Sequence, residues 1–225
     1  MPGVVIPFAA ADDEHARIEA LAWVKKQYRI KLPDYHVVIE RGDPFRPFCK
    51  GELVNRGVEK MRASDDPVIV ADADVWTDGL PAAVRAVTCG VASWAIPHLE
   101  VFRLTKKATW ALYNNKPMPV PPSSRPYDGV KGGGFVIAQR ETLMAVPLDE
   151  RFTGWGQEDQ SWGLALATME GEPWRGTADL YHMWHPSPER HDRRMGSHES
   201  WALYKRYSKA NGYPDRMEEL LAACR

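Results

Sequence analysis

The sequence predicts an α/β fold, a Rossmann-like, mostly parallel central sheet flanked by helices, with a small helical segment at the C-terminal end. Three observations carry this. Strand-like apolar runs alternate with helix-period stretches from the first residues onward, the order that buries a parallel sheet between crossover helices. Val68-Ile69-Val70-Ala71 is a continuous apolar run suited to a strand covered on both faces, and it ends abruptly in Asp72-Ala73-Asp74. Beyond residue 189 the strand signal stops and helix-period patterning closes the chain.

The elements follow in order. Val4-Val5-Ile6-Pro7-Phe8 reads as the first strand, and Asp12 or Asp13 can cap a helix carrying Ile18, Leu21, Ala22 and Tyr28 near helical spacing. His36-Val37-Val38-Ile39-Glu40 is the second strand, broken by Arg41-Gly42-Asp43-Pro44. Lys50 to Arg62 forms a helix with Leu53, Val54, Val58 and Met61 inward, ahead of the strand at Val68. Leu80 to Thr88 is helical, Val91 to Ile96 is a strand, and Leu104, Ala108, Ala111 and Leu112 mark a further amphipathic helix. Asn114 to Gly129, with five prolines and two serines, is a loop. A loop of that length inside a domain suits a lid or an acceptor-binding segment; a surface linker accounts for the composition equally well. Gly132-Gly133-Gly134 opens a strand ending at Ala138, Gln160 to Met169 is a helix, Leu180 to Pro186 is a strand, and Pro214 to Cys224 is the last helix. These divide a single domain into a nucleotide-binding half (1–113), a Pro-rich loop (114–131), an acceptor and metal half (132–188) and a C-terminal helical segment (189–225).

Composition narrows the function. The 225 residues suffice for one sizeable core, and a net charge of -1 argues against a nucleic-acid binder working by bulk electrostatics. Cys49, Cys89 and Cys224 are odd in number with no pair at zinc-ligand spacing, which suits free thiols in a reducing compartment. No apolar run approaches the roughly 20 residues a membrane span needs, and Val4 to Ala11 lacks the basic leader of a signal peptide. The expectation is a soluble, cytoplasmic protein.

Asp72 and Asp74 stand where the central strand leaves the sheet, the edge at which open α/β sheets bind ligands. If the backbone stays extended through Ala73, both carboxylates point the same way and make a hard-oxygen site for Mg2+ or Mn2+. An acidic turn is the plainer alternative. The three glycines at 132–134 lack the Gly-Lys-Ser/Thr of a phosphate cradle, but they permit close backbone approach to a ligand; Lys131 beside them reads as solvated. Gly154-Trp155-Gly156-Gln157-Glu158-Asp159 puts an aromatic in a flexible turn and two acids at a helix start, where the dipole favours negative charge. Capping explains the acids; indoles at Trp155 and Trp162 beside them suit a sugar ring. His182 and His185 lie three apart near the predicted metal, and on a continuous strand they face opposite sides, so one of them, with His182 favoured, reaches the ion. The basic run from Arg190 to Arg206 could close over a diphosphate or present a solvated helical face.

Taken together, these signals resemble the GT-A glycosyltransferases, particularly the branch with β4-galactosyltransferases, chondroitin polymerase domains and polypeptide N-acetylgalactosaminyltransferases. Four pieces match in order between residues 4 and 186: the Val-Ile-Pro-Phe strand; Phe48-Cys49-Lys50 with Asn55-Arg56-Gly57; the Asp-X-Asp triplet at 72–74; and Gly-Trp-Gly-Gln-Glu-Asp preceded by Gly133-Gly134-Phe135. The resemblance implies a GT-A fold and transfer from a nucleotide sugar, with UDP-sugars favoured, to a glycan, protein or small-molecule acceptor, without nucleic acid and without a membrane span. It implies that Pro7, Phe8, Phe48, Lys50, Asp72, Gly133 and Gly134 meet the donor. Asp74, with Asp72 and His182 or His185, would hold Mn2+ or Mg2+. Trp155 and Glu158 would meet the acceptor, with Asp159 as the base of an inverting reaction. Ala9 and Ala10 depart from the arginine frequent in relatives, and Gln160-Ser161 cuts short the acidic run of the galactosyltransferases.

Two other readings remain open on the residues. A nucleotidyltransferase forming sugar nucleotides would use a similar sheet but normally carries a Gly-rich, basic signature after the first strand, where this chain has Phe8-Ala9-Ala10-Ala11. A non-catalytic nucleotide- or carbohydrate-binding module would tolerate loss of Asp159.

Overall fold

The computed structural model describes residues 1–119, 122–123, 125–154, 156–186 and 196–224. Strand β1 (Gly3–Phe8) leads through helix α1 (His15–Lys31) to β2 (His36–Arg41), and α2 (Lys50–Lys60) leads on to β3 (Val68–Ala71). β1 pairs in parallel with both β2 and β3, the arrangement that crossover helices impose. The chain continues through β4 (Val75–Trp76), α3 (Leu80–Thr88), β5 (Trp94–Arg103), α4 (Lys106–Tyr113), β6 (Tyr127–Asp128) and β7 (Phe135–Ala138). It ends with α5 (Arg140–Ala145), α6 (Glu158–Glu170), β8 (Trp174–His182), α7 (His198–Ala210) and α8 (Pro214–Ala222). Among the described residues these build one eight-stranded sheet, ordered β2-β1-β3-β7-β5-β8-β4 with β6 on β5.

Beyond β3 the sheet is mixed rather than mostly parallel. β7 runs antiparallel to both β3 and β5, β4 antiparallel to β8, and β5 with β8 is parallel again. Apolar periodicity reports which face a residue occupies and carries no information on strand direction, which is why the antiparallel entry of β7 does not show in the sequence. The strand expected at Val91 starts at Trp94 instead, because the chain is still closing α3 there: Val91 N–H donates to the Ala86 carbonyl at 2.9 Å and its side chain is exposed. Within the Pro-rich stretch, Tyr127 and Asp128 pair with Val101 and Glu100, and Ser123 bridges Leu104, so these three residues lie along the sheet.

Helices cover both faces. Val4 and Ile6 of β1 and Ile69 and Ala71 of β3 join Leu21, Val24, Leu80 and Val84 on one side. Val5, Val68 and Val70 join Val54, Val58, Trp162, Leu203 and Met217 on the other. This is the period-two alternation of a strand buried twice. The C-terminal helices belong to the second core: Tyr207 donates to Asp149 at 2.8 Å, and Arg151 clamps the same carboxylate. No helix among the described residues is long and apolar enough to cross a membrane.

α2 sits tight on β1, and this fixes the approach of its N-terminal residue Lys50 to the sheet. A Cβ at Gly57 would lie 2.3 Å from Val5 Cγ1 and 3.0 Å from Glu40 Cγ. Glu40 is itself buried and held at 2.7 Å by both Arg56 and Lys60. Gly57→Val should therefore cost about 3 kcal/mol through overpacking, read as a lower urea midpoint. An unchanged midpoint would contradict this helix-sheet contact.

Candidate active site

β3 delivers its acids into a turn. Asp72 N–H donates to the Gly134 carbonyl at 2.9 Å, continuing the ladder with β7, and the chain then turns at Ala73 and Asp74 before β4. The backbone is thus not extended through Ala73, and the two carboxylates go to different partners. Asp72 Oδ1 lies 2.6 Å from Lys50 Nζ. Asp74 faces the end of β8, where the pairing of Val75 with His182 sets it beside the histidines.

His185 Nε2 lies 3.0 Å from Asp74 Oδ2, and His182 Nε2 lies 3.9 Å from Asp74 Oδ1. One ligand atom from each of the three falls within 4.8 Å of the others, an arrangement able to hold a metal ion. Both imidazoles converge because β8 ends at His182; the strand expected through Pro186 would have sent them apart. Each Nδ1 sits against a backbone carbonyl, His182 on Met183 at 3.0 Å and His185 on Pro186 at 2.7 Å. A carbonyl only accepts, so Nδ1 carries the hydrogen and each Nε2 is left on the side of the carboxylate, the outer-shell pattern of metal-binding histidines. Burial holds His182 below its ordinary pKa, in the neutral form a metal requires. The hydrogen bond to Asp74 raises His185, and burial of Asp74 is outweighed by the two imidazoles, which hold its carboxyl well below the usual range. Where Nδ1 is already protonated, a 3.0 Å contact between Nε2 and a carboxylate needs a positive charge between them, and a proton or a divalent cation supplies it. The donor set fits such an ion.

The second group of charges gathers on Lys50. Its ammonium is buried, 2.6 Å from Asp72 and 2.7 Å from Asp159 Oδ1. Burial alone would lower its pKa, but Asp159, Asp72 and Glu158 together hold it above the ordinary lysine value, so it stays charged. Glu158 and Asp159 are the first two residues of α6, as the sequence places them, and Gln157 ahead of them is left-handed at φ 65°. Glu158 accepts from Gly156 N–H at 3.0 Å. Burial raises both carboxyls, Asp72 pushes each further, and Lys50 opposes the shift. Gly132 lets the glycine loop press on this helix start: a Cβ there would lie 2.2 Å from the Asp159 carbonyl oxygen, so the close approach is to α6. Lys131, read from sequence as solvated, pairs with Glu172.

One cleft of about 630 Å³ joins the two groups. Asp74, His182 and His185 line it together with Asp72, Lys50, Glu158 and Asp159, and Pro7, Phe8, Phe48, Gly133 and Gly134 complete the expected set. Trp155, expected to meet an acceptor, lies outside the described residues, as do residues 190–195 of the basic run. The lining residues that escaped the sequence reading include three that bring charge or an imidazole to the cleft. Arg17, paired with Glu14 at 3.1 Å, and Arg46 bring positive charge to a wall where Ala9 has none. His98 of β5 is the third. The Glu-x-x-Arg spacing of 14 and 17 marks a helical ion pair but not the cleft it faces.

No protein-family model matches the chain, and no curated protein matches it. Solved structures do. A mutant Drosophila β1,4-galactosyltransferase 7 in complex with manganese, UDP-Gal and xylobiose superposes with TM-score 0.44 at 14% identity, over 73% of this chain and 60% of that one. The catalytic domain of Drosophila β1,4-galactosyltransferase 7 in complex with xylobiose superposes with TM-score 0.54 at 13% identity, over 91% of this chain and 80% of that one. The second likeness, across nine-tenths of the chain, gives this protein the GT-A fold.

Proposed function

We propose that this protein is a metal-dependent glycosyltransferase that moves a sugar from a nucleoside diphosphate sugar to an acceptor hydroxyl with inversion. The observation that carries the reading is the shared cleft, with a carboxylate-diimidazole cluster and a lysine-bridged pair of acids on one set of walls. Asp74, His182 and His185 would hold the ion, and two imidazoles in the donor set favour Mn2+ over Mg2+, which prefers oxygen. When bound, a divalent cation there neutralises the charge that develops on the departing diphosphate.

The chain's own residues do the rest. Pro7, Phe8 and Phe48 give the nucleoside an apolar seat, uridine being favoured by the resemblance, while Arg17 and Arg46 face its phosphates. Asp159 takes the proton of the acceptor hydroxyl as that oxygen attacks the anomeric carbon and the bond to the diphosphate breaks. Lys50 fixes the direction of Asp159 and ties it to Asp72 beside the donor. Glu158 accepts from a second hydroxyl of the acceptor, and Trp155 supplies an apolar face to its ring. A saccharide acceptor is supported by the xylobiose bound in the Drosophila catalytic domain of the same fold. The free thiols of Cys49, Cys89 and Cys224 suit a reducing, cytoplasmic setting.

The test is to heat the purified protein with Mn2+ or Mg2+ and a panel of nucleotide sugars, and to assay nucleoside diphosphate release with saccharide acceptors. A true donor at 100 times its Kd stabilises by about 2.7 kcal/mol, and only with metal. Pyrophosphate in place of diphosphate would transfer the protein to the nucleotidyltransferases. Stabilisation without release by any acceptor would make it a binding module.

A further inference from the structure

His98 lies within β5, lines the cleft and is fully buried, yet neither ring nitrogen has a hydrogen-bond partner in the protein. Among the described residues lining the cleft, it alone leaves buried side-chain polar atoms in this state. Buried polar groups are paired with few exceptions, and an unpaired one beside a cleft points to a partner supplied from outside the protein.

The surroundings define what fits. Phe135 meets the ring edge-on at 6.5 Å between centroids, and Val101 and Leu180 line the same cleft. Glycines pack close against the ring: a Cβ on Gly129 would lie 2.5 Å from Nε2, and one on Gly134 would lie 3.6 Å from Cε1. One residue earlier, a Cβ on Gly133 would lie 3.4 Å from Asp159 Oδ2. The imidazole and the candidate base therefore flank a single Gly-Gly step. Burial, aided by the charge of Arg175, pushes His98 down to about 4, so the ring is neutral and offers one N–H and one lone pair. Arg175 is itself committed to the carbonyls of His98 and Gly129, at 3.5 and 3.2 Å. A hydroxyl donates and accepts and so can pair with a ring nitrogen whichever of the two carries the hydrogen. A phosphate or carboxylate only accepts and would leave the lone pair unmet.

We propose that His98 reads a hydroxyl of the sugar being transferred, and so selects the donor's sugar; this rests on the glycosyltransferase reading above. His98→Leu removes unpaired polar atoms from an apolar pocket, so the ligand-free protein should melt at the same temperature or higher. Discrimination should collapse: the ratio of kcat/KM between the best UDP-sugar and its monodeoxy analogue lacking the read hydroxyl falls about tenfold. His98→Gln, which keeps a donor and an acceptor, should recover part of that ratio. In wild-type protein labelled with 15N at histidine, the His98 ring signals should move with the UDP-sugar and not with UDP alone. An unchanged ratio in His98→Leu, or ring signals indifferent to the sugar, would overturn the proposal and leave His98 a packing or buried-water role. A wild-type protein that no nucleoside diphosphate and no nucleotide sugar stabilises would overturn the glycosyltransferase reading itself, and this is seen before any variant is made.

Discussion

Replacing Asp74 with alanine should abolish metal-dependent donor binding: the stabilisation of about 2.7 kcal/mol that a saturating nucleotide sugar gives the wild type disappears, with or without Mn2+. Asp74 is the carboxylate beside which both Nε2 atoms lie, at 3.0 and 3.9 Å. Its removal leaves two neutral imidazoles with no negative charge to hold a divalent ion. Metal-borne charge stabilisation is worth several kcal/mol in a transition state, and 1.36 kcal/mol is tenfold, so kcat/KM should fall by about 100-fold or more. Differential scanning with and without metal, alongside the release assay, checks both effects. A variant still stabilised by donor and Mn2+ as strongly as wild type would place the ion elsewhere.

Asp159→Asn should separate binding from transfer. Asparagine keeps the shape and a hydrogen bond to Lys50 but cannot take a proton, and a positioned general base is worth roughly 100-fold to 10,000-fold. Transfer should drop by that factor while the metal-dependent melting shift survives. Lys50 keeps Asp72 as a charged partner at 2.6 Å, so the loss of its second carboxylate should cost about 1–3 kcal/mol of stability without unfolding the protein. The pH dependence supplies an independent sign. Burial, with Glu158 and Asp72 nearby, raises the Asp159 pKa against the pull of Lys50, and the base works only when ionised. The wild-type kcat/KM should therefore climb with pH along a limb displaced above the ordinary carboxylate range of about 4. That limb should be missing from the residual rate of Asp159→Asn. Normal turnover by the variant would remove Asp159 from the base role.

Much of this site could be read from the chain because local signals sufficed for it. The apolar run 68–71 announces a strand covered on both faces and locates its acids at the sheet edge, and the acid pair at 158–159 announces a helix start. What the sequence hid depends on where the chain stops being regular. Treating Asp72-Ala73-Asp74 as extended sends both carboxylates one way, but the turn at 73–74 sends Asp72 to Lys50 and Asp74 to the histidines. Treating 180–186 as one strand separates His182 from His185, whereas β8 ends at His182 and the exit brings both rings to 5.2 Å between centroids. Lys50 itself, a lone lysine at a helix start, gives no local hint that two acids 22 and 109 residues away will meet on it. His98 is hidden for the same reason: it lies two residues past the strand expected at 91–96, and only the folded molecule carries β5 through it and shows it without a partner.

The central claim is that a metal-held diphosphate and an acid-held acceptor meet in this one cleft. A crystal structure of Asp159→Asn with Mn2+ and an intact nucleotide sugar tests it most directly. The manganese anomalous signal should fall among Asp74, His182 and His185. The anomeric carbon should face residue 159, with room for an acceptor oxygen about 3–3.5 Å away. A metal on another set of residues, or a sugar turned away from residue 159, would contradict the account.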